Sequence, residues 1–112
     1  MAANIVYVQD LPFSCRGELC RILDLSGQWE ELGGIHMAFD LETLAIIRGA
    51  SLRGESPTWE LLNKFSERNG TINQLFLMLA RMDNQRGMHV LRSYVEERFH
   101  PLLRNEGIMH AH

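Results

Sequence analysis

The sequence predicts an all-α fold, a six-helix antiparallel bundle. Three observations carry that prediction. Apolar residues recur at helical spacing in several separate stretches, each stretch opens on a recognisable cap or proline, and the connections between them are short. No alternating strand pattern survives in the body of the chain, and no repeat occurs at solenoid spacing.

Residues 56–82 are the most strongly punctuated stretch, and they hold two helices. Ser56 precedes Pro57, a residue whose preset φ and missing N–H suit the first helical position. Trp59, Leu62 and Phe65 follow at helical spacing with Leu61 beside them, while Glu60, Lys64 and Glu67 fall on the other side. Asn69-Gly70 ends this helix, because both residues tolerate a left-handed C-cap. Thr71 then caps a helix whose Ile72, Leu75, Phe76 and Leu79 stand at i, i+3, i+4 and i+7. A connection this short makes the pair antiparallel neighbours. The nearly all-apolar second helix is the expected buried spine.

Residues 1–10 read as an amino-terminal arm. Its apolar Ile5-Val6-Tyr7-Val8 has no strand partner in view and is expected to pack on the body. The domain proper is placed at residues 11–103. Asp10-Leu11-Pro12 starts the first helix, with Cys15, Leu19, Ile22 and Leu23 inward, Arg16, Glu18 and Arg21 outward, and a stop near Ser26-Gly27. Gln28 to Leu32 opens a short second helix. Gly33-Gly34 within it costs about 1 kcal/mol per glycine relative to alanine, so either the helix ends there or another backbone packs close. Asp40 caps a third helix, Leu41 to Arg48, with Leu44 and Ala45 on the face of Leu41. Gly49 and Ser51 to Gly54 make the connection onward. Asp83-Asn84 caps a last helix bearing Met88, Leu91, Val95 and Phe99 along one face, with Pro101 just beyond its end. Residues 104–112 have no pattern and read as a carboxy-terminal tail.

At 112 residues the chain is long enough for one domain with a real core. Its net charge of −3 and pI near 5.9 argue against nucleic acid or a membrane surface as partner. Cys15 and Cys20 point in different directions on one helix and miss the C-x-x-C spacing of zinc and redox sites, which predicts reduced thiols. Met1-Ala2-Ala3-Asn4 lacks the basic start of a signal peptide, and no apolar run reaches membrane-spanning length. The expected compartment is the cytoplasm.

Catalytic chemistry finds no support in the residues. His36, His89 and His100 are scattered over different elements, and His110 and His112 sit in the tail, so no metal-ligand cluster forms. Neither cysteine has a histidine placed to activate it. Glu30-Glu31 and Glu96-Glu97 are adjacent pairs that splay apart. No phosphate-binding or dinucleotide fingerprint is present, so neither a cofactor nor a small-molecule substrate is expected. The charge distribution says more. Residues 1–42 carry seven acids against two bases, and residues 43–112 carry nine bases against seven acids. Such a polarised domain suits head-to-tail stacking on copies of itself or on relatives.

The pattern from Leu11 to about Leu103 resembles a death domain, and within that fold the amino-terminal domain of the interleukin-1-receptor-associated kinase/Pelle family. The resemblance lies in Leu11-Pro12 followed by Glu18-Leu19-Cys20-Arg21-Ile22-Leu23-Asp24, then in Trp29 and in Ser56-Pro57-Thr58 with Glu60-Leu61-Leu62. It ends in Asn69-Gly70-Thr71-Ile72 with Leu75, Leu79 and Met82. The myeloid-differentiation adaptor and Tube-like adaptors are its nearest competitors. Gly33-Gly34 and the amino-terminal arm depart from the pattern, and these 112 residues hold no kinase domain, which suits either an excised module or a stand-alone adaptor.

This resemblance implies a Greek-key death fold and a non-enzymatic, homotypic interaction module. Its partners would be other death-domain proteins, with copies of the chain itself among the candidates, in a layered complex downstream of Toll or interleukin receptors. It also implies three surface pairs. One sets Glu30 and Glu31 of the second helix against the first and fourth helices. Another sets Arg53, Glu55 and Thr58 against Asp83, Asn84 and Arg86. The last sets Asp40, Glu42 and Thr43 against Asp24, Ser26 and Gln28. Competing readings are a helix-turn-helix DNA-binding domain, for which the best hairpin carries only Lys64, Arg68 and Arg81 among acids, and a ligand-binding bundle, which lacks an evident polar cluster.

Overall fold

The structure, a computed structural model, describes residues 6–104; the expectations for residues 1–5 and for the tail beyond Arg104 lie outside them. Six α-helical segments occur among the described residues: α1 (Phe13–Ser26), α2 (Trp29–Glu31), α3 (Leu41–Leu52), α4 (Pro57–Glu67), α5 (Ile72–Arg81) and α6 (Gln85–Leu91). Helix α1 packs on α4 and α6, α3 packs on α4, and α5 packs on α6. There is no strand among these residues. A single antiparallel bridge joins Tyr7 to Thr71.

The α4–α5 hairpin forms as its sequence dictates. Ser56 accepts a hydrogen bond from the Trp59 amide at 3.0 Å, with Pro57 as the first helical residue. Asn69 takes the left-handed conformation, at φ +58°. Gly70 does not; a Cβ there would overlap the buried Phe65 ring, so its requirement is for space. Thr71 and Gln74 form a reciprocal capping box at the start of α5. Leu61, Leu62, Ile72, Leu75, Phe76 and Leu79 are all fully buried, which makes the hairpin the centre of the core.

The amino-terminal segment is tied into that centre. The Val8 amide donates to the Gly70 carbonyl at 2.9 Å, the Ile72 amide donates to the Val6 carbonyl at 2.8 Å, and Val8 has no exposed surface. A 3₁₀ turn over Val8–Asp10 then leads to α1, which ends at Gly27 with φ +72°.

Four details differ from the sequence expectations. Arg16 lies inside: its guanidinium stacks over the Trp59 ring at 4.3 Å and donates to the Trp59 carbonyl and to Asn63. In α2 the chain widens into a π-helical turn, Leu32–His36, and side chains rather than backbone crowd the glycine there. A Cβ on Gly33 would lie 2.8 Å from a Leu61 methyl and 3.1 Å from a Leu44 methyl. Helix α3 runs through Gly49 to Leu52, and its buried face is Leu44, Ile47 and Ala50. Leu41 and Ala45 face outward. It stops at Gly54, with φ +75°, where the Glu55 amide returns to the Ala50 carbonyl at 2.9 Å.

The last expected helix is also broken. Asn84 caps α6 through the Gly87 amide, but the helix ends at Leu91 and the chain continues as 3₁₀ turns over Arg92–Tyr94 and Glu97–Leu102. Asn73 of α5 explains the interruption. Its side chain bonds both the Glu96 carboxylate, at 2.7 Å, and the Glu96 amide, at 3.3 Å, which withdraws that amide from helical pairing. Pro101 sits inside the final turn rather than beyond it.

One long-range contact fixes how the first half meets the second. The Asp24 carboxylate, near the end of α1, accepts from the Ser56 hydroxyl at 2.6 Å, from the Thr58 amide at 3.0 Å and from the Thr58 hydroxyl. Thr58 is completely buried, so no water replaces this partner. Asp24→Ala should lower stability by about 2–3 kcal/mol, because it leaves buried donors unpaired; urea denaturation reads this as a lower midpoint at unchanged slope. Two glycine substitutions should act in opposite directions. Gly17→Ala meets nothing within 4 Å and should stabilise α1 by up to about 1 kcal/mol. Gly70→Ala must displace Phe65 and should cost about 1–3 kcal/mol, which thermal melts of the two variants would resolve.

Candidate protein-interaction surface

The candidate residues fall on three regions of the bundle. On the α2–α3 face, Glu30 pairs with Arg48 at 2.7 Å, each about half exposed. The Arg48 guanidinium also lies 5.9 Å from the centre of the buried Trp29 ring. The hydrogen bond and charge of Glu30 raise the pKa of Arg48 above its ordinary value. Glu31 stands 3.7 Å from His36. An exposed pair such as Glu30–Arg48 contributes little to stability, which leaves it available to a partner.

The second region is the corner that leads into α4. Arg53 and Glu55 are exposed and paired at 3.0 Å. Thr58, expected beside them, turns inward to Asp24 and has no surface to offer. Asp24 is spent in the same way: its oxygens are occupied by Ser56 and Thr58. Asp40 caps α3 through the Thr43 amide at 2.8 Å, and the Thr43 hydrogen bonds hold its carboxyl below the usual carboxylate range. Glu42 is exposed and Thr43 half-buried.

The third region joins residues that the sequence had assigned to two different surfaces. Gln28, in the α1–α2 loop, accepts from the Asn84 side chain at 2.6 Å. This contact draws Ser26, Gln28, Asp83, Asn84 and Arg86 around one cleft of about 250 Å³. Asn84 itself is buried, because its oxygen caps α6 while its amide reaches Gln28. Asp83 pairs with Arg104 at 2.8 Å, and Arg86 is exposed.

Other surface features escaped the sequence analysis. Leu41 is 84% exposed and Leu52 89%, with Ile46 also exposed on α3. Nothing in the spacing of α3 separates these residues from its buried ones, since all are apolar. Phe13 is 78% exposed and rests against the half-buried Trp59, ring centres 5.4 Å apart. With Glu55, Ser56 and Glu60 they line an open cleft of about 470 Å³.

The arrangement offers charged and apolar contact surface; it does not assemble reacting groups. Burial pushes the Cys20 thiol up and pulls the Arg16 guanidinium down. The Cys15 thiol meets the Tyr94 hydroxyl at 3.3 Å, a hydrogen bond that raises the phenol. Among the described residues, no group of three His, Cys, Asp or Glu side chains is placed to hold a metal, and no helix is long and apolar enough to cross a membrane.

Comparison with known proteins places this geometry. The family model for the Death domain matches residues 16–95. The chain is 26% identical over 98 residues to the serine/threonine-protein kinase pelle of Drosophila melanogaster, covering 87% of this chain and 19% of that protein. It is 29% identical over 99 residues to the human interleukin-1 receptor-associated kinase 3, covering 76% of this chain and 15% of that protein. The chain thus spans under a fifth of the length of these relatives. A chain of the solved complex between the death domains of Pelle and Tube superposes with a TM-score of 0.84 at 25% identity, over 91% of this chain and all of that one. The six-helix bundle described above is a death fold, and the chain belongs to the Death domain family.

Proposed function

We propose that this chain is a non-enzymatic, homotypic interaction module that docks onto other death domains in a receptor-proximal signalling complex. The observation that carries this reading is the superposition on a chain whose own solved state is a complex of two death domains. The polarised charge of the sequence and the exposed charges of the three regions support it. Similarity to two kinases further supports an amino-terminal place in a Pelle-like serine/threonine kinase of Toll or interleukin-receptor signalling, working in the cytoplasm. Domain limits at residues 11–103 belong to the same proposal, with residues 6–10 of the arm packed on as part of the folded unit.

Within the module, the most productive contact is the α3–α4 corner against the α5–α6 loop. Arg53 and Glu55 present one side; Asp83 and Arg86 present the other. Each charged pair is exposed enough to exchange its internal partner for an external one. The remaining surface residues, Glu30 and Glu31 on one side and Glu42 set against Ser26 and Gln28 of a neighbouring copy, provide the other layers of a stacked assembly.

Arg53→Glu and Asp83→Arg test the corner contact. In size-exclusion chromatography with light scattering, alone and with the Tube death domain, each single reversal should weaken association by about tenfold or more. The two variants mixed together should recover it, since the reversed charges then face each other. Unchanged assembly in both single variants would remove this corner from the interface. A wild-type chain that binds no death domain would remove the function itself.

A further inference from the structure

The carboxy-terminal end of the bundle carries a second, arginine-bearing cleft that meets the third region only at Arg104. Among the described residues, His89, Arg92, His100, Leu103 and Arg104 line a space of about 430 Å³, with no acid among these five. His89 comes from α6 and Arg92 from the turn that follows it. His100 comes from the last 3₁₀ turn and Arg104 from the segment after it.

The cleft is built, in that its walls are tied together. The His89 Nε2 lies 3.0 Å from the Arg104 carbonyl oxygen, and the His100 Nε2 lies 2.9 Å from the Arg92 carbonyl oxygen. A carbonyl oxygen only accepts, so each Nε2 carries the proton and each ring is held in one orientation. The Arg104 amide donates to the Gln85 side chain at 2.8 Å, and Gln85 donates in turn to the Leu102 carbonyl at 3.3 Å. The Arg104 guanidinium is steadied by Asp83 at 2.8 Å. Arg92 is exposed and has no ion-pair partner among the described residues.

Two arginines at one opening, Arg92 without an ion pair among the described residues and Arg104 shared with Asp83, make an oxyanion site. The two imidazole N–H groups are already given to backbone carbonyls and only shape its walls. Guanidinium forks match phosphate oxygens in pairs, and donors held in place bind without an ordering cost. The rest of the molecule limits what kind of anion fits. A chain of net charge −3 repels an extended polyanion, whereas a local pair of guanidinium groups accepts a single compact group. Leu103, half-buried at the edge, gives an apolar wall for the residue next to that group. We propose that this cleft binds one phosphate monoester carried on a peptide, a phosphoserine or phosphothreonine. This site shares the Asp83–Arg104 pair with the corner contact, and Arg92, which takes no part in that contact, separates the two in the test.

The test uses the whole 112-residue chain and the peptide acetyl-Ala-phosphoserine-Leu-amide beside its unphosphorylated twin. Calorimetry should give binding about tenfold or more tighter for the phosphorylated form, and ¹H–¹⁵N spectra should place the shifts on residues 89–104. Arg92→Gln should weaken that binding by about tenfold at an unchanged melting temperature, because its side chain holds no other part of the fold. Inorganic phosphate should compete at the same residues. Equal affinity for the two peptides would overturn the proposal, as would an Arg92→Gln chain that binds as the wild type does. Phosphatidylserine vesicles that displace the peptide and bind more strongly would overturn it in favour of a membrane surface.

Discussion

The carboxylate of Asp24 is the contact on which the two halves of this bundle depend. Helix α1 carries it and α4 needs it: the first turn of α4 directs the Thr58 amide, the Thr58 hydroxyl and the Ser56 hydroxyl at one side chain. Ser56 meanwhile accepts from the Trp59 amide, so it caps its own helix while donating to another. An ionised acceptor with three donors is among the stronger polar arrangements a protein offers, and its burial at Thr58 shields it from competing water. The start of α4 is thereby set relative to α1. Leu61, about one turn further along, is then placed to receive Gly33 and Leu44 from the elements between.

That placement explains why the middle of the chain looks irregular. The π-helical turn after α2 lets Gly33 lie close over Leu61, and a larger residue would force the turn away from α4. Helix α3 contacts the same site through Leu44 and leaves its opposite side, with Leu41, Ile46 and Leu52, in solvent. Irregular backbone in one place and exposed leucines in another therefore follow from a single packing requirement. The charged corner of Arg53 and Glu55 lies between the end of α3 and the start of α4. It inherits its position from them.

The fold was legible in the sequence wherever the determining interaction is local. Ser56-Pro57, Thr71 and Asp40 each open a helix as read, and the partners the two caps find, Gln74 and Thr43, lie only three residues on. The errors share a different origin. Arg16 reads as an outward charge, yet it is stacked on Trp59, more than forty residues away. Asn73 and Glu96 interrupt a helix that its own apolar spacing would have continued. Thr58, Asp24 and Asn84 carry polar side chains that a sequence assigns to the surface. In the bundle they answer one another or a distant loop. A period reveals which face is apolar, but it does not reveal that a polar residue has found a partner inside. Leu41 is the converse case, an apolar residue in helical register with Leu44 that the turn at the start of α3 leaves uncovered.

The arm at residues 6–8 has a practical meaning for anyone cutting or labelling this molecule. Val8 occupies the core completely and its amide closes onto the α4–α5 turn, so the family match that begins at Arg16 understates what the fold requires. A fragment begun at Arg16 would open an apolar trough beside Gly70 and Ile72, on the central hairpin itself. Its tendency to aggregate would then be mistaken for assembly. A fluorophore or fusion partner joined ahead of Val6 would, by the same geometry, report from beside the α4–α5 turn, which none of the three candidate regions includes.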